Sequence, residues 1–278
     1  MNKRIVVGLD GSGFAATATT LACQEAKKCD GTVVGVGVVD LEGIEEVERG
    51  APVGSIYFAQ KAEEHKLRDA LQKVGSFLKQ FEETCKGFGV NYELHSSQGV
   101  PFRSIVHLSK VADLAVIGLR TYYHFETSSK PGDTLKRVLK NSVCPVLAVP
   151  ERLDGFERAI IAYDGSMESA KALRAFVNRF QNRLQGIALT LLTVGEQGEE
   201  VKKIQKEALD YLACWHLAAD TAVKPGKAHE AILEYTMTVT KPLIVMGAFG
   251  GGGITELFFG STARNLIEDS TIPIFFYH

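Results

Sequence analysis

The chain carries one ordered set of sequence landmarks twice, and this internal repeat constrains its fold more than any other feature. A Val-x-Leu-Asp-Gly-Ser segment at 7–12 returns as Ile-x-Ala-Tyr-Asp-Gly-Ser at 160–166. The later landmarks follow in the same order: Gly99 and Ile105 match Gly226 and Ile232, 116–118 matches 245–247, and 141–146 matches 269–274. The chain of 278 residues is therefore predicted to contain two copies of one domain, at 1–151 and at 156–278.

The first copy is longer than the second, and its extra residues must lie between Ser12 and Gly99. The best location for them is 41–61, an acidic stretch that also contains several glycines. Long loops inside a domain are often functional lids. A tolerated surface insertion explains the same stretch equally well, so both interpretations stay open.

Each copy alternates short apolar runs with segments of helical spacing. The predicted strands are 4–10, 32–39, 91–96, 114–118 and 146–149 in the first copy, and 159–163, 188–194, 220–224, 243–246 and 274–277 in the second. Near-continuous apolar strands separated by helices predict a parallel sheet that is covered on both faces. The expected fold class is α/β, with two tandem five-stranded, mostly parallel sheets and helices on both faces of each.

The second copy contains a glycine-rich segment with the layout of a phosphate cradle. A predicted strand ends before Gly247, Gly250 follows after two residues, and Gly260-Ser261 follows after nine more, where a helix is predicted to begin. Glycines let the backbone approach an anion closely, and a helix N-terminus offers free N–H groups. No lysine follows Gly260, so the P-loop pattern is absent. The competing interpretation is a flexible loop without a ligand.

Four further landmarks fall at the carboxyl ends of predicted strands, where open parallel sheets bind their ligands. They are Asp10, Asp164, Gly118 and Gly247. The two aspartates also have a structural interpretation, because an Asp before Gly-Ser can cap a turn or the helix that follows.

The composition excludes several classes of protein. The formal net charge of −2 argues against a dedicated nucleic-acid binder, since such proteins are usually basic. The first residues do not resemble a signal peptide and no apolar run is long enough to span a bilayer, so we expect a cytoplasmic protein without a membrane partner. The five cysteines are scattered and form no Cys-x-x-Cys pair, which predicts free thiols rather than a metal site or a disulfide framework.

The sequence resembles a tandem universal stress protein over essentially its whole length. The residues that carry the resemblance are the two Asp-Gly-Ser segments, Val-Met-Gly at 245–247 with its Gly-x2-Gly-x9-Gly-Ser spacing, and the closing Cys-Pro-Val and Ile-Pro-Ile motifs. The resemblance implies two domains of the Rossmann-like, adenine nucleotide alpha hydrolase-like type, packed as a pseudo-dimer. It also implies that the second copy binds ATP or another adenine nucleotide, with Mg²⁺ or Mn²⁺ held through the phosphates.

The same resemblance implies a role for each site residue in the second copy. Asp164 is expected to contact the nucleoside, and Val194 is expected to give main-chain bonds to adenine. The ribose and phosphates are expected to be held by Gly247, Gly250, Gly260, Ser261 and Thr262. No residue near the glycine segment is an obvious base or nucleophile, so we expect no catalytic residue and at most slow ATP hydrolysis.

The first copy departs from this pattern, which makes its site doubtful. Thr121 stands where the second glycine is expected, and Gly132 is followed by Asp133, whose carboxylate opposes a bound anion. Arg120 and Lys130 lie nearby in the sequence, and their positive charges still favour phosphate. The aromatic cluster 122–125 fills the pocket, binds another ligand or packs at the domain interface, and packing is the general rule for aromatic side chains. The residues of this doubtful site are Asp10, Val38, Gly118 and Gly132.

Three functions are compatible with these observations. The first is a stress-response protein that binds an adenine nucleotide in its second domain and acts as a nucleotide-dependent sensor or interaction module. The second is a scaffold or dimerisation module with structural nucleotide or none, and the third is a slow ATPase. The expected partners are an adenine nucleotide, an unidentified protein, and a second copy of the chain unless the last strands of the two copies pair within one chain. Nucleic acid is not an expected partner.

Overall fold

The computed structural model describes residues 3–40, 56–123, 133–181, 184–249 and 260–278. The side chains of 56–63, 133 and 185 are excluded from the description. The predicted site residues Gly132 and Gly250 lie outside these ranges, as does most of the predicted insertion at 41–61. The chain divides into two compact units, Met1–Cys144 and Pro145–His278, which we call the first and second units.

The first unit contains a parallel sheet in the order β3-β2-β1-β4. Its strands are β1 (Arg4–Leu9), β2 (Thr32–Val39), β3 (Asn91–Gln98) and β4 (Leu114–Gly118). Its helices are α1 (Gly13–Cys29), α2 (Ile56–Phe88), α3 (Pro101–Ser109) and α4 (Asp133–Asn141). Strands β1 and β4 are buried along almost their whole length, as expected for strands covered by helices on both faces.

The second unit contains a sheet in the order β5-β10-β9-β6-β7-β8. Its strands are β5 (Val146–Val149), β6 (Arg158–Ala162), β7 (Ala188–Val194), β8 (Ala219–Lys224), β9 (Pro242–Gly247) and β10 (Ile274–Tyr277). Its helices are α5 (Met167–Phe180), α6 (Glu199–Ala213), α7 (Ala228–Thr236) and α8 (Ser261–Asp269), with a short 3₁₀ turn at Leu184–Gly186. The predicted α/β class with mostly parallel strands is confirmed.

Strand β5 belongs to the first copy in sequence but to the second unit in space. It pairs antiparallel with β10, so that Leu147 lies opposite Phe275 and Ala148 opposite Ile274. Strand β10 pairs on its other side with β9 in parallel. The spatial boundary therefore falls before β5, while the repeat in the sequence places its junction after it.

None of the described helices is long and apolar enough to cross a membrane.

The core of the second unit is built around three phenylalanines. Phe275 of β10 lies with its ring centroid 5.4 Å from that of Phe176 and 5.9 Å from that of Phe180, both on α5. The rings of Phe275 and Phe176 meet edge to face, the arrangement that the charge distribution of aromatic rings favours. This cluster fixes α5 on the sheet, and α5 in turn supplies part of the candidate site.

We expect Phe275→Ala to lower the free energy of unfolding of the second unit by about 3–5 kcal/mol, because it removes a fully buried ring and leaves a cavity. Denaturant unfolding followed by circular dichroism measures this change. Met237→Ala is the control, since Met237 is 83% exposed and its loss should change stability by less than about 0.5 kcal/mol. Equal effects of the two substitutions would contradict the packing role of Phe275.

Candidate functional site

The Asp-Gly-Ser segment of the second unit forms a tight turn between β6 and α5. Gly165 has φ of +80°, a conformation that glycine adopts without strain. The Ser166 N–H donates to Asp164 Oδ1 at 3.0 Å, and Ser166 Oγ accepts from the Ser169 N–H at 3.2 Å as the N-cap of α5. Asp164 therefore caps the turn, as one of the two interpretations predicted, while the helix is capped by Ser166. The turn holds the Asp164 carboxylate at the carboxyl end of β6.

The turn also sets the charge of Asp164. Desolvation raises the pKa of this carboxyl, but hydrogen bonds from Ser166 and Ser169 outweigh desolvation and bring the pKa below its ordinary value. Asp164 is consequently ionised at neutral pH, and it can accept hydrogen bonds from a polar ligand.

Strand β9 ends where it meets the first turn of α5. A Cβ atom at Gly247 would lie 2.7 Å from Glu168 Cβ and 3.0 Å from the Glu168 carbonyl carbon. Because a backbone atom is among these neighbours, a side chain at position 247 would force α5 away from the sheet. Gly247 therefore allows the strand end and the helix start to approach closely, which brings Glu168 to the edge of the site.

Helix α8 presents an open N-terminus. Its N-cap is Gly260, which has no side chain to satisfy the first N–H groups, and the first helical bond runs from the Arg264 N–H to the Gly260 carbonyl at 3.0 Å. The N–H groups of Ser261, Thr262 and Ala263 precede that bond and have no partner within the helix. Together with the helix dipole, they form a surface that favours an anion.

These elements surround a cavity of about 270 Å³ in the second unit. All six predicted second-copy residues that the structure describes line it: Asp164, Val194, Gly247, Gly260, Ser261 and Thr262. The cavity joins the ends of β6, β7 and β9 to the start of α8, although these elements are far apart in sequence. The predicted grouping of these residues at one edge of the sheet agrees with this arrangement.

The sequence reasoning missed several residues of the cavity wall. Glu168 adds a second carboxylate, while Leu192, Ile232 and Phe249 add apolar surface. Ile232 had a recognisable signal, because it is one of the landmarks that recur in the repeat. Among the described residues, no group of three or more His, Cys, Asp or Glu side chains is arranged to hold a metal ion.

The first unit builds the same turn with a different outcome. The Ser12 N–H and Ser12 Oγ donate to Asp10 Oδ1 at 3.0 and 2.6 Å, and Ser12 Oγ caps α1. The second oxygen of Asp10 accepts from the Tyr122 N–H at 2.6 Å. Asp10 is therefore buried and engaged on both oxygens by its own chain.

Tyr123 occupies the space that corresponds to part of the second-unit cavity. Its hydroxyl lies against Gly8, where it leaves no room for a Cβ atom, and Ile105 Cδ1 approaches the same Cβ position to 3.1 Å. In the repeat, Gly8 and Ile105 match Ala162 and Ile232, which both line the cavity of the second unit. Of the alternatives for the 122–125 cluster, the structure supports filling of the pocket by Tyr123.

Two further residues of the doubtful first-copy site, Val38 and Gly118, are also enclosed by protein. Val38 is buried within β2, and a Cβ atom at Gly118 would lie 2.6 Å from both Phe14 Cβ and the Arg120 carbonyl oxygen. Phe14 matches Glu168 in the repeat, so the first unit places a phenyl ring where the second unit places a carboxylate. Gly132 lies outside the described residues.

Burial also affects the Tyr123 hydroxyl. Desolvation raises the pKa of Tyr123 well above its ordinary value, and the negative charge of Asp10 adds to this effect. Among the described residues the hydroxyl has no hydrogen-bond partner. A buried hydroxyl without a partner costs stability, so what Tyr123 contributes here is the volume of its ring.

The comparison with known proteins agrees with the fold and the repeat. The sequence profile of the Universal stress protein family matches residues 1–150 and 195–278. Universal stress protein Slr1230 of Synechocystis sp. is 25% identical over 286 residues, covering 98% of each chain, and Universal stress protein MJ0531 of Methanocaldococcus jannaschii is 31% identical over 150 residues, covering 53% of this chain and 81% of its own. A crystal structure of a universal stress protein from Archaeoglobus fulgidus shares the fold with a TM-score of 0.71 at 18% identity, covering 98% of this chain and 97% of its own. The chain therefore belongs to the universal stress protein family.

Proposed function

We propose that the second unit binds an adenine nucleotide such as ATP, and that this binding makes the protein a nucleotide-dependent sensor or interaction module within its stress-response role. The observation that carries the proposal is the cavity of about 270 Å³, which gathers an ionised aspartate, a strand-end glycine and an uncapped helix N-terminus. A nucleotide needs partners for a nucleoside and for phosphates, and the two ends of this cavity offer different chemistry.

The phosphates belong at the start of α8. Ser261 and Thr262 supply hydroxyls and N–H groups that have no partner within the helix, and Gly260 adds no capping side chain. Gly247 lines the same cavity at the end of β9, where a backbone without a side chain also permits close contact.

The nucleoside belongs between β6, β7 and α7. Leu192 and Ile232 give this part of the cavity apolar walls, which suit the faces of a purine ring. Asp164 is ionised and placed to accept hydrogen bonds from hydroxyl or amino groups, and Val194 brings main-chain groups at the end of β7.

A divalent cation fits this site only together with the phosphates. Asp164 and Glu168 are the acidic side chains of the cavity wall, and the wall provides no third carboxylate, histidine or cysteine among the described residues. Mg²⁺ is usually bound by one or two carboxylates together with substrate phosphates. We therefore propose that Mg²⁺ or Mn²⁺ accompanies the nucleotide and neutralises its charge.

Strand-mediated dimerisation is a weaker candidate for the output. Strand β10 pairs with β9 on one side and with β5 on the other. Both of its edges are occupied within one chain, so it offers no free edge to a second copy.

Gly260→Asp is expected to weaken ATP binding at least tenfold, which corresponds to about 1.4 kcal/mol. The new carboxylate would lie at the N-terminus of α8, where like charges about 4 Å apart cost roughly 1–4 kcal/mol depending on exposure. Asp is also a good N-cap residue, so the helix should remain folded. Isothermal titration calorimetry with MgATP measures the change.

Gly198→Asp is the matched control for this experiment. Gly198 is the N-cap of α6, also without a side-chain cap, and no atom lies within 4 Å of a Cβ built there. It adds the same charge at another helix start and should leave the affinity unchanged. The proposal fails if neither protein binds ATP, or if Gly260→Asp binds ATP as well as the control does.

The calorimetric titration should also give a stoichiometry of one nucleotide per chain. The reason is that Tyr123 and the buried Asp10 already fill the corresponding region of the first unit. Two equivalent sites per chain would show that the first unit opens for a ligand.

Tyr123→Phe is expected to raise the free energy of unfolding by about 1 kcal/mol, because it keeps the ring and removes a buried hydroxyl that has no partner in the part of the chain that the structure describes. Denaturant unfolding measures this change. Tyr122→Phe is the control, since Tyr122 is 44% exposed and its hydroxyl can be hydrated. A loss of stability in Tyr123→Phe would mean that the hydroxyl makes a stabilising hydrogen bond.

A further inference from the structure

Two cysteines from different helices of the first unit face each other. Cys23 of α1 and Cys85 of α2 are both fully buried, and their Sγ atoms lie 3.6 Å apart. A disulfide requires about 2.0 Å between the sulfur atoms, so a small movement of the side chains and helices would bring them to bonding distance. We propose that Cys23 and Cys85 form an oxidisable dithiol that closes to a reversible disulfide when the protein meets a peroxide.

The other three cysteines have different surroundings. Cys29 Sγ and Cys214 Sγ each donate to a backbone carbonyl of their own helix, at 3.3 Å. Cys144 Sγ lies 3.7 Å from Ser142 Oγ. Each of these three Sγ atoms contacts an oxygen atom, whereas the Sγ atoms of Cys23 and Cys85 contact each other. This contact distinguishes Cys23 and Cys85 as a pair.

The contact between the two thiols stabilises a thiolate at this pair. The hydrogen bond with Cys85 lowers the pKa of Cys23 and outweighs the desolvation that raises it. The same hydrogen bond and burial raise the pKa of Cys85. Either sulfur can act as the donor in this contact, so whichever thiol loses its proton is stabilised as a thiolate by the other.

A cavity of about 210 Å³ lies between α1 and α2, the two helices that carry the pair. Its lining includes Thr19 and Thr84 but neither cysteine. Thr19 precedes Cys23 by one helical turn, and Thr84 is the residue directly before Cys85. Hydrogen peroxide is small enough to enter such a space.

The reaction balances with peroxide as the oxidant. The thiolate of one cysteine of the pair attacks one peroxide oxygen, the O–O bond breaks, and a sulfenic acid and hydroxide form. The sulfur of the other cysteine then attacks the sulfenic sulfur, its proton passes to the leaving oxygen, and the S–O bond breaks with release of water. Overall, two thiols lose two electrons and two protons, and one peroxide becomes two molecules of water.

The bond would tie α1 to α2 across a long stretch of chain. The two residues are 62 positions apart, and the stretch between them contains β2 and most of α2. A cross-link over such a loop stabilises a protein mainly by restricting its unfolded state. We expect the oxidised form to melt several degrees higher than the reduced form, with the difference abolished by dithiothreitol.

The test uses a full-length variant in which Cys29, Cys144 and Cys214 are replaced by alanine, so that the pair alone remains. The folded protein is treated with hydrogen peroxide, quenched in acid and alkylated under denaturing conditions, and its mass is measured. We expect the loss of two hydrogen atoms and of both alkylation sites, with the thiols restored by dithiothreitol. The matched control adds Cys23→Ala to the same variant, and it should not form an intramolecular disulfide.

The wild-type protein provides a second readout that does not depend on the variant folding. After the same treatment, proteolysis without reduction should yield a peptide pair joined through Cys23 and Cys85. The proposal is overturned if both thiols survive peroxide below the unfolding temperature. It is equally overturned if they convert to sulfinic or sulfonic acid without passing through the linked form.

Discussion

The close approach of strand ends and helix starts is the constraint on which the rest of this structure depends. In each unit a glycine is the last residue of one strand, β4 in the first unit and β9 in the second. A helix passes so close to this glycine that a Cβ atom would not fit. Gly118 meets Phe14 in the first unit, and Gly247 meets Glu168 in the second. Because the backbones approach this closely, the Asp-Gly-Ser turn is held over the carboxyl edge of the sheet, where a parallel sheet gathers its functional groups.

The same framework has opposite outcomes in the two units. In the second unit the turn opens onto a cavity, and Asp164 stays at its edge with an ionised carboxylate. In the first unit the chain after β4 folds back, so that the Tyr122 backbone engages Asp10 and the Tyr123 ring covers Gly8. Tyr122 and Tyr123 thus make contacts in the first unit that the cavity of the second unit leaves available to a ligand.

The sheet of the second unit is completed by a strand from the first copy of the repeat. The last strand of the first copy joins β10 in the second unit, and the antiparallel ladder places Leu147 opposite Phe275. Phe275 is at the same time the centre of the aromatic cluster that fixes α5. Phe275 therefore takes part both in strand pairing and in the packing of α5. The start of α5, with its Ser166 cap and Glu168, lines the site.

The sequence by itself determined the repeat, the α/β class and the order of strands and helices along the chain, because these depend on local signals. The six described residues that it predicted for the site line the cavity, while others of the wall, such as Glu168 and Phe249, were missed. Apolar runs, helix-capping serines and glycine spacing act over a few residues, so they can be recognised without knowing the fold. Gly250 and Gly132 remain sequence predictions, since they lie outside the described residues.

The sequence left open whether the last strands of the two copies pair within one chain, and the tertiary structure decided it by pairing β5 with β10. Only the tertiary structure decided the filling of the first-unit site by Tyr123 and the contact between Cys23 and Cys85. Each of these joins residues that are distant in sequence, and each depends on the distance between elements rather than on the residues within them. A scattered cysteine or an aromatic cluster carries no signal of the partner that it will meet. The physical reason is that close packing, which decides whether a space is open or filled, exists only once the elements are assembled.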